Sequence, residues 1–302
     1  MQNIKNLLDD RILVLDGAMG SVIQTYNLEE SDYKTGIFSN HDSDLKGNHD
    51  ILSITRPDLI EKIHTSYLNS GSDIIETNTF NSNAISQSDY NLESFVYKIN
   101  FHAAKIARKA ASKITLLNPL KPRFVAGVMG PTSRTCSISP DINDPGFRNI
   151  TFELLVEAYS EQCKALIDGG VDLLLVETVF DTLNCKAALF AVSEILEKEN
   201  KDIPVMVSVT ITDSSGRTLS GQTIEAFWYS VRHINLFSVG INCALGAEEM
   251  RPFVVDLSNI ADIPISVHPN AGLPNELGEY DQTPNFMANI LEEFADSKLV
   301  NI

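Results

Sequence analysis

The sequence predicts an α/β chain folded as a (β/α)₈ TIM-type barrel, incomplete at its eighth strand–helix unit. A short β-rich run, a polar loop and an amphipathic helix succeed one another seven times, and an eighth run, Leu299-Val-Asn-Ile302, stands at the end. No G-x-G-x-x-G follows the first run, which weighs against the alternative, a doubly wound open sheet. The units repeat without a change of style and no linker composition divides residues 1–302, so one domain is expected.

Each unit can be justified in turn. Ile12-Leu-Val-Leu15 is a continuous apolar run, as a strand buried on both faces requires. It breaks at Asp16-Gly-Ala-Met-Gly20, and a long polar loop runs to about Ser53. Pro57 opens a helix that lines up Ile60, Ile63, Tyr67 and Leu68 and stops at Gly71. The second strand is Asp73–Asn78, with a helix over 92–111. The third is Arg123–Val128, followed by a Ser-, Pro-, Asp- and Gly-rich loop over 129–149 and a helix capped by Thr151 and closed by Gly169-Gly170. The fourth, Val171–Val176, ends on Glu177, and Asp181 can cap its helix. The fifth, Pro204–Val209, opens into the loop Thr212–Gly221, and Thr223 precedes a helix. The sixth runs through Gly240 and Ile241 and ends on Cys243; a helix with Met250, Val254 and Leu257 follows. The seventh, Ile263–Asn270, leads through Ala271–Asn275 to a helix beginning at Thr283-Pro284.

Composition excludes several classes of function. Forty acidic against 23 basic residues give a formal charge of −17, which repels phosphate backbones and gives no sign of a nucleic-acid partner. No stretch approaches the roughly 20 apolar residues that span a bilayer, and the N-terminus lacks the apolar core of a signal peptide. A cytoplasmic protein without membrane contact is expected. The four cysteines show neither close pairing nor zinc-knuckle spacing, so disulfides are not expected. Cys163 and Cys185 fall within helices as packing residues, whereas Cys136 lies in a polar loop.

In a barrel the loops after the strands converge on one face. That face would gather Asp16 and its glycine turn, Glu76-Thr-Asn78, Gly130, Glu177, Asp181, Cys243, His268 and Asn270. Gly17 and Gly20 either expose amides that hold a carboxylate or serve a tight turn at positive φ. Glu177 at the end of an apolar run needs a cation or donors, either a substrate ammonium or an internal Arg or Lys. His268 and Asn270, two apart on a strand, share a face, and His268 is read as a hydrogen-bonded structural residue. Cys243 is a small packing residue or a reactive thiol.

Taken together, Leu15-Asp-Gly-Ala-Met-Gly20, Asp73-Ile-Ile-Glu-Thr-Asn-Thr-Phe-Asn81, Ser137-Ile-Ser-Pro-Asp-Ile-Asn-Asp-Pro145, Val176-Glu-Thr-Val-Phe-Asp-Thr-Leu-Asn184, Ser220-Gly-Gln-Thr223, Ile241-Asn-Cys-Ala-Leu-Gly246 and His268-Pro-Asn-Ala-Gly-Leu-Pro-Asn275 resemble the N-terminal homocysteine-binding barrel of cobalamin-dependent methionine synthases, from about Arg11 to Ile302. Betaine–homocysteine methyltransferase and other zinc homocysteine methyltransferases share the fold and the strand-end thiol but match less well around 137–144 and 242–246.

The resemblance implies a zinc ion on three cysteine thiolates, with homocysteine sulfur in the open position. Zinc removes the thiol proton and leaves a lone pair for the methyl group. It makes Cys243 a metal ligand. It places the amino-acid head group on the amides of Asp16, Gly17, Ala18, Met19 and Gly20, its ammonium on Glu177, and Asn270 beside the metal. The other two cysteines form a Gly-Gly-Cys-Cys-Gly run in that family, and no such run occurs in this chain. The expectation is therefore a fragment cut just short of that run, which binds zinc weakly, transfers no methyl group alone and exposes the apolar flanks of its missing unit. The donor implied is methylcobalamin bound by another domain, with folate- and cobalamin-binding domains as partners in methionine biosynthesis. The alternatives are a stand-alone zinc homocysteine S-methyltransferase with a betaine or sulfonium donor, and a non-catalytic amino-acid-binding barrel fragment.

Overall fold

Six of the predicted runs are strands, and they form one parallel sheet in strict chain order: β1 (Ile74–Glu76), β2 (Phe124–Met129), β3 (Leu173–Val179), β4 (Val205–Val209), β5 (Ser238–Gly246) and β6 (Ile265–Asn270). The computed structural model describes residues 4–212, 215–273 and 280–302. Asp213 and Ser214 of the loop after β4, and Pro274 and Asn275 of the loop after β6, lie outside them.

The sheet is extended at both edges. Leu15 bridges Ile74 in parallel, and Val14 O accepts from the amides of Asp73 and Ile74. At the far edge Asn301 N and Ile302 N donate to Ile265 O, and Ile302 O accepts from Val267 N. Leu13 N then donates to Asn301 O at 3.0 Å, which joins the two edges. The predicted barrel and its short eighth run are both observed. The first run differs from expectation: Leu13 and Leu15 face the interior, while Ile12 and Val14 are 39% and 52% exposed. Among the described residues no helix covers their outer face, so the run alternates instead of being buried on both sides.

The helices pack around this ring. α1 (Pro57–Ser70) carries Pro57 in its first turn and stops on Gly71 at φ 118°. α2 (Val96–Leu117) begins and ends later than the predicted 92–111. α3 (Phe152–Gly169), α4 (Thr182–Glu199), α5 (Ile224–Val231) and α7 (Pro284–Asp296) start on the predicted caps: Thr151, Asp181, Thr223 and Thr283 each accept a backbone N–H of the first turn. α6 (Ala247–Ile260) follows β5 directly. Gly240 permits close approach of β5 to β6, because a Cβ there would lie 2.0 Å from Ser266 Oγ.

The interior of the ring is filled by Leu13, Ile74, Ala126, Val128, Leu173, Leu175 and Met206, with Ile4 and Leu7 of a short N-terminal helix in the same cluster. The polar loop expected over 21–53 has its own core. Ile23, Tyr33, Phe38, Leu45, Ile51 and Leu52 are buried against Leu59, Ile60 and Ile63 of α1. This small subassembly brings Gly47, His49 and Asp50 to the wall of the cavity described next.

Candidate functional site

A cavity of about 610 Å³ opens where the strands end. Its wall includes the whole Asp16–Gly20 turn, Glu76, Asn78, Glu177, Cys243, His268 and Asn270, so the structure brings together most of the predicted strand-end residues. It leaves Gly130 and Asp181 aside. Asp181 is used structurally: it caps α4 and accepts from the backbone N–H and hydroxyl of Ser137. Asn184 accepts from Cys136 N and donates to Arg134 O, so the 129–149 loop is pinned to the start of α4. Cys136 is buried beneath this loop, and Cys163 and Cys185 are buried in their helices.

The glycine turn is not the positive-φ turn that was one of its two expectations. Neither Gly17 nor Gly20 has positive φ. Gly17 packs closely against Tyr67, where a Cβ would lie 3.0 Å from the ring, and the Tyr67 hydroxyl donates to Ala18 O at 3.3 Å. Met19–Gln24 forms a short helix, so Met19 and Gly20 are its first residues.

Strained backbone lies instead at the ends of β3 and β5. Thr178, Cys243 and Ala244 have φ of 54°, 60° and 62°, and both strands shift register there. Non-glycine residues seldom occupy this region, and such positions gather at functional sites. Asn242 holds the two ends together. Its Oδ1 accepts from Thr178 N at 3.1 Å and the Ser208 hydroxyl at 2.7 Å. Its Nδ2 donates to Thr178 Oγ1 at 2.7 Å and to Cys243 Sγ at 3.2 Å. This role was missed from sequence, although an asparagine inside an apolar strand beside the thiol was a visible signal.

The electrostatics of the site centre on three acids. Both oxygens of Asp16 accept from Glu76 N at 3.1 Å, yet burial and the adjacent Glu76 charge hold its pKa well above the usual carboxylate range. Burial raises Glu76 to about 7. Burial and the Glu76 charge raise Glu177 to about 8, with His268 opposing. The Cys243 thiol is also pushed up, by burial and then by Glu177, against the hydrogen bonds from Asn242 and Thr178. His268 meets its expectation of a hydrogen-bonded residue: its Nε2 donates to Asp16 O at 2.8 Å. It does more than that, because its Nδ1 faces Glu76 Oε1 at 3.6 Å. Each carboxyl is poised to ionise when a cation arrives.

A thiol and three carboxyls on one such face narrow the chemistry, and comparison with known proteins names it. The sequence profile described as homocysteine S-methyltransferase matches residues 13–302. The chain belongs to the homocysteine S-methyltransferase family. It is therefore a methyltransferase by family. The homocysteine methyltransferase MmuM from Escherichia coli shares the fold. Its oxidised form aligns at 22% identity and a TM-score of 0.70, over 89% of this chain and 86% of that one. Its metallated form aligns at 22% and 0.69, over 94% and 90%. Among the described residues no helix is long and apolar enough to cross a membrane.

The three-thiolate zinc site that the methionine synthase resemblance implies can be tested on the donor set. Of the four cysteines only Cys243 lines the cavity, and Cys136, Cys163 and Cys185 lie buried elsewhere. The described residues supply one thiol where three are needed, so they do not fit that site, and no step is derived through it.

Proposed function

We propose that this chain binds homocysteine in the strand-end cavity and serves its S-methylation. The observation that carries the reading is the set of carboxyls on one cavity wall with the Cys243 thiol, Asp16 and Glu177 buried and Glu76 half-buried. A free amino acid supplies the ammonium that this wall lacks, and burial strengthens that attraction. The Asp16–Gly20 turn and the start of the short helix then face the substrate carboxylate, Asn270 lines the same cavity, and the sulfur extends toward Cys243. The apolar lining excludes water from the sulfur.

For the methyl donor, the alignment over 86–90% of a homocysteine methyltransferase favours a small sulfonium or betaine compound. A second reading, a module of a cobalamin-dependent methionine synthase served in the cytoplasm by folate- and cobalamin-binding domains, rests on the motifs at 137–145 and 241–246.

Calorimetric titration with homocysteine, followed by steady-state assays with sulfonium, betaine and methylcobalamin donors, tests both. Saturable binding that Glu177→Gln weakens by about tenfold or more is expected. Turnover with a sulfonium or betaine supports the first donor reading and turnover with methylcobalamin the second. Binding without turnover leaves an amino-acid-binding barrel. No binding to the native chain overturns the proposal.

A further inference from the structure

Within the same cavity, Glu76, Glu177 and His268 each place one ligand atom within 4.8 Å of the other two. Three hydrogen-bonding facts give this cluster a direction. The His268 Nε2 partner is a carbonyl, which can only accept, so Nε2 carries the hydrogen and the neutral ring presents an Nδ1 lone pair. That lone pair faces Glu76 Oε1 across 3.6 Å, too far for a hydrogen bond. Glu76 Oε1 is sealed from solvent and has no donor. With the ring neutral and Glu76 ionised, acceptor faces acceptor, and Glu177 adds a third. A tetrahedral ion with bonds of about 2.1 Å holds neighbouring ligand atoms about 3.4 Å apart, close to the 3.6 Å between His268 Nδ1 and Glu76 Oε1.

We propose that Glu76, Glu177 and His268 form a binding site for a divalent first-row transition ion, separate from the Cys243 thiol. One imidazole and two carboxylates suit zinc, cobalt or manganese and carry no sulfur preference. The Asp16 carbonyl fixes the imidazole from behind, as an orienting partner does for a metal-ligating histidine. The site goes beyond the homocysteine reading but shares its oxygens. An ion on Glu76 and Glu177 removes the negative charge that an ammonium needs, so metal and amino acid exclude one another.

The test uses the full chain stripped with a chelator and titrated with cobalt(II), followed by visible absorption. The native chain and Cys243→Ala are both expected to bind one equivalent, with d–d bands and no thiolate charge-transfer band in the variant. His268→Ala and the near-isosteric Glu76→Gln should each weaken binding by at least about tenfold, with circular dichroism confirming the fold. If His268→Ala does not fold, Glu76→Gln carries the test. Methionine, which has the ammonium without a free thiol, should raise the apparent cobalt dissociation constant. No binding to the native chain, loss of binding in Cys243→Ala, unchanged binding in Glu76→Gln, or indifference to methionine would each overturn the proposal. Homocysteine titration in the presence of chelator reports separately on the functional reading.

Discussion

Asp73, just before β1, and Glu76, at its end, are a buried and a half-buried carboxyl three residues apart, yet their surroundings are opposite. Asp73 has no exposed side-chain surface and accepts from Arg11 through both oxygens, at 2.7 and 2.8 Å. Lys121 and Arg123 lie at 3.6 and 3.7 Å, and Val14 N donates to it. Burial alone would raise its pKa; the Arg11 hydrogen bonds and the Val14 amide outweigh burial and hold it below the usual value. Glu76 meets two other acids and a histidine, and burial raises it to about 7. The start of the strand is satisfied by the chain itself. At its end Glu76 Oε1 has no hydrogen-bond partner among the described residues, in keeping with the way barrels divide stability from chemistry.

The largest expected effect follows from breaking the satisfied end. Asp73→Ala leaves Arg11 and the buried part of Arg123 without their counter-charge, and loss of one partner of such a pair costs about 3–5 kcal/mol. Denaturant unfolding should show that loss, while amino-acid affinity in the folded fraction stays unchanged. A stability loss below about 1 kcal/mol would mean that water satisfies the arginines as well as Asp73 does.

The second test sets the two ends against each other through pH. The folded Asp73 pKa is lowered, so its contribution is fully present above the unfolded value of about 3.8 and is lost in acid. Glu177 is raised from 4.5 to about 8. The folded chain therefore keeps a proton that the unfolded chain releases, and stability falls as pH rises across that window. Melting temperature against pH, with chelator present and no ligand, should decline between about pH 5 and 8. Glu177→Gln should flatten that decline, and Asp73→Asn should instead weaken the acid side. A decline that survives Glu177→Gln unchanged would place the titrating group elsewhere.

The two ends were not equally legible in the sequence. Strand ends such as Glu177 and Cys243 were legible as candidates because a carboxyl or thiol closing an apolar run lies where barrels place their chemistry, although Cys243 read equally as a packing residue. The capped helices were legible for the same local reason: Thr151, Asp181, Thr223 and Thr283 each act within three residues. The approach of Glu76 to His268 depends on ring closure through Leu13 and Asn301, which no local pattern encodes. The segment over 21–53 hid its core because Ile23, Tyr33, Phe38 and Leu45 fall in short turns with no helical or strand period. The positive φ of Thr178, Cys243 and Ala244 runs against residue preference, so propensity points away from it.

The smallest effect concerns the strained link between β3 and β5. Asn242 is almost wholly buried, and its Nδ2–H to Cys243 Sγ opposes the upward push of burial and Glu177 on the thiol. Removing that donor should raise the thiol pKa further and leave the Ser208 hydroxyl and Thr178 amide without their shared acceptor. Asn242→Ala should therefore cost about 1–3 kcal/mol of stability. Alkylation of Cys243 should also slow severalfold at a fixed pH near 8, because the thiolate is the reacting species. Asn242→Asp separates the two consequences: it can keep the acceptor toward Thr178 and Ser208 but loses the amide donor and adds a fourth acid near Glu177. Alkylation as fast in Asn242→Asp as in the native chain would show that Asn242 positions the backbone only and leaves the thiol untouched.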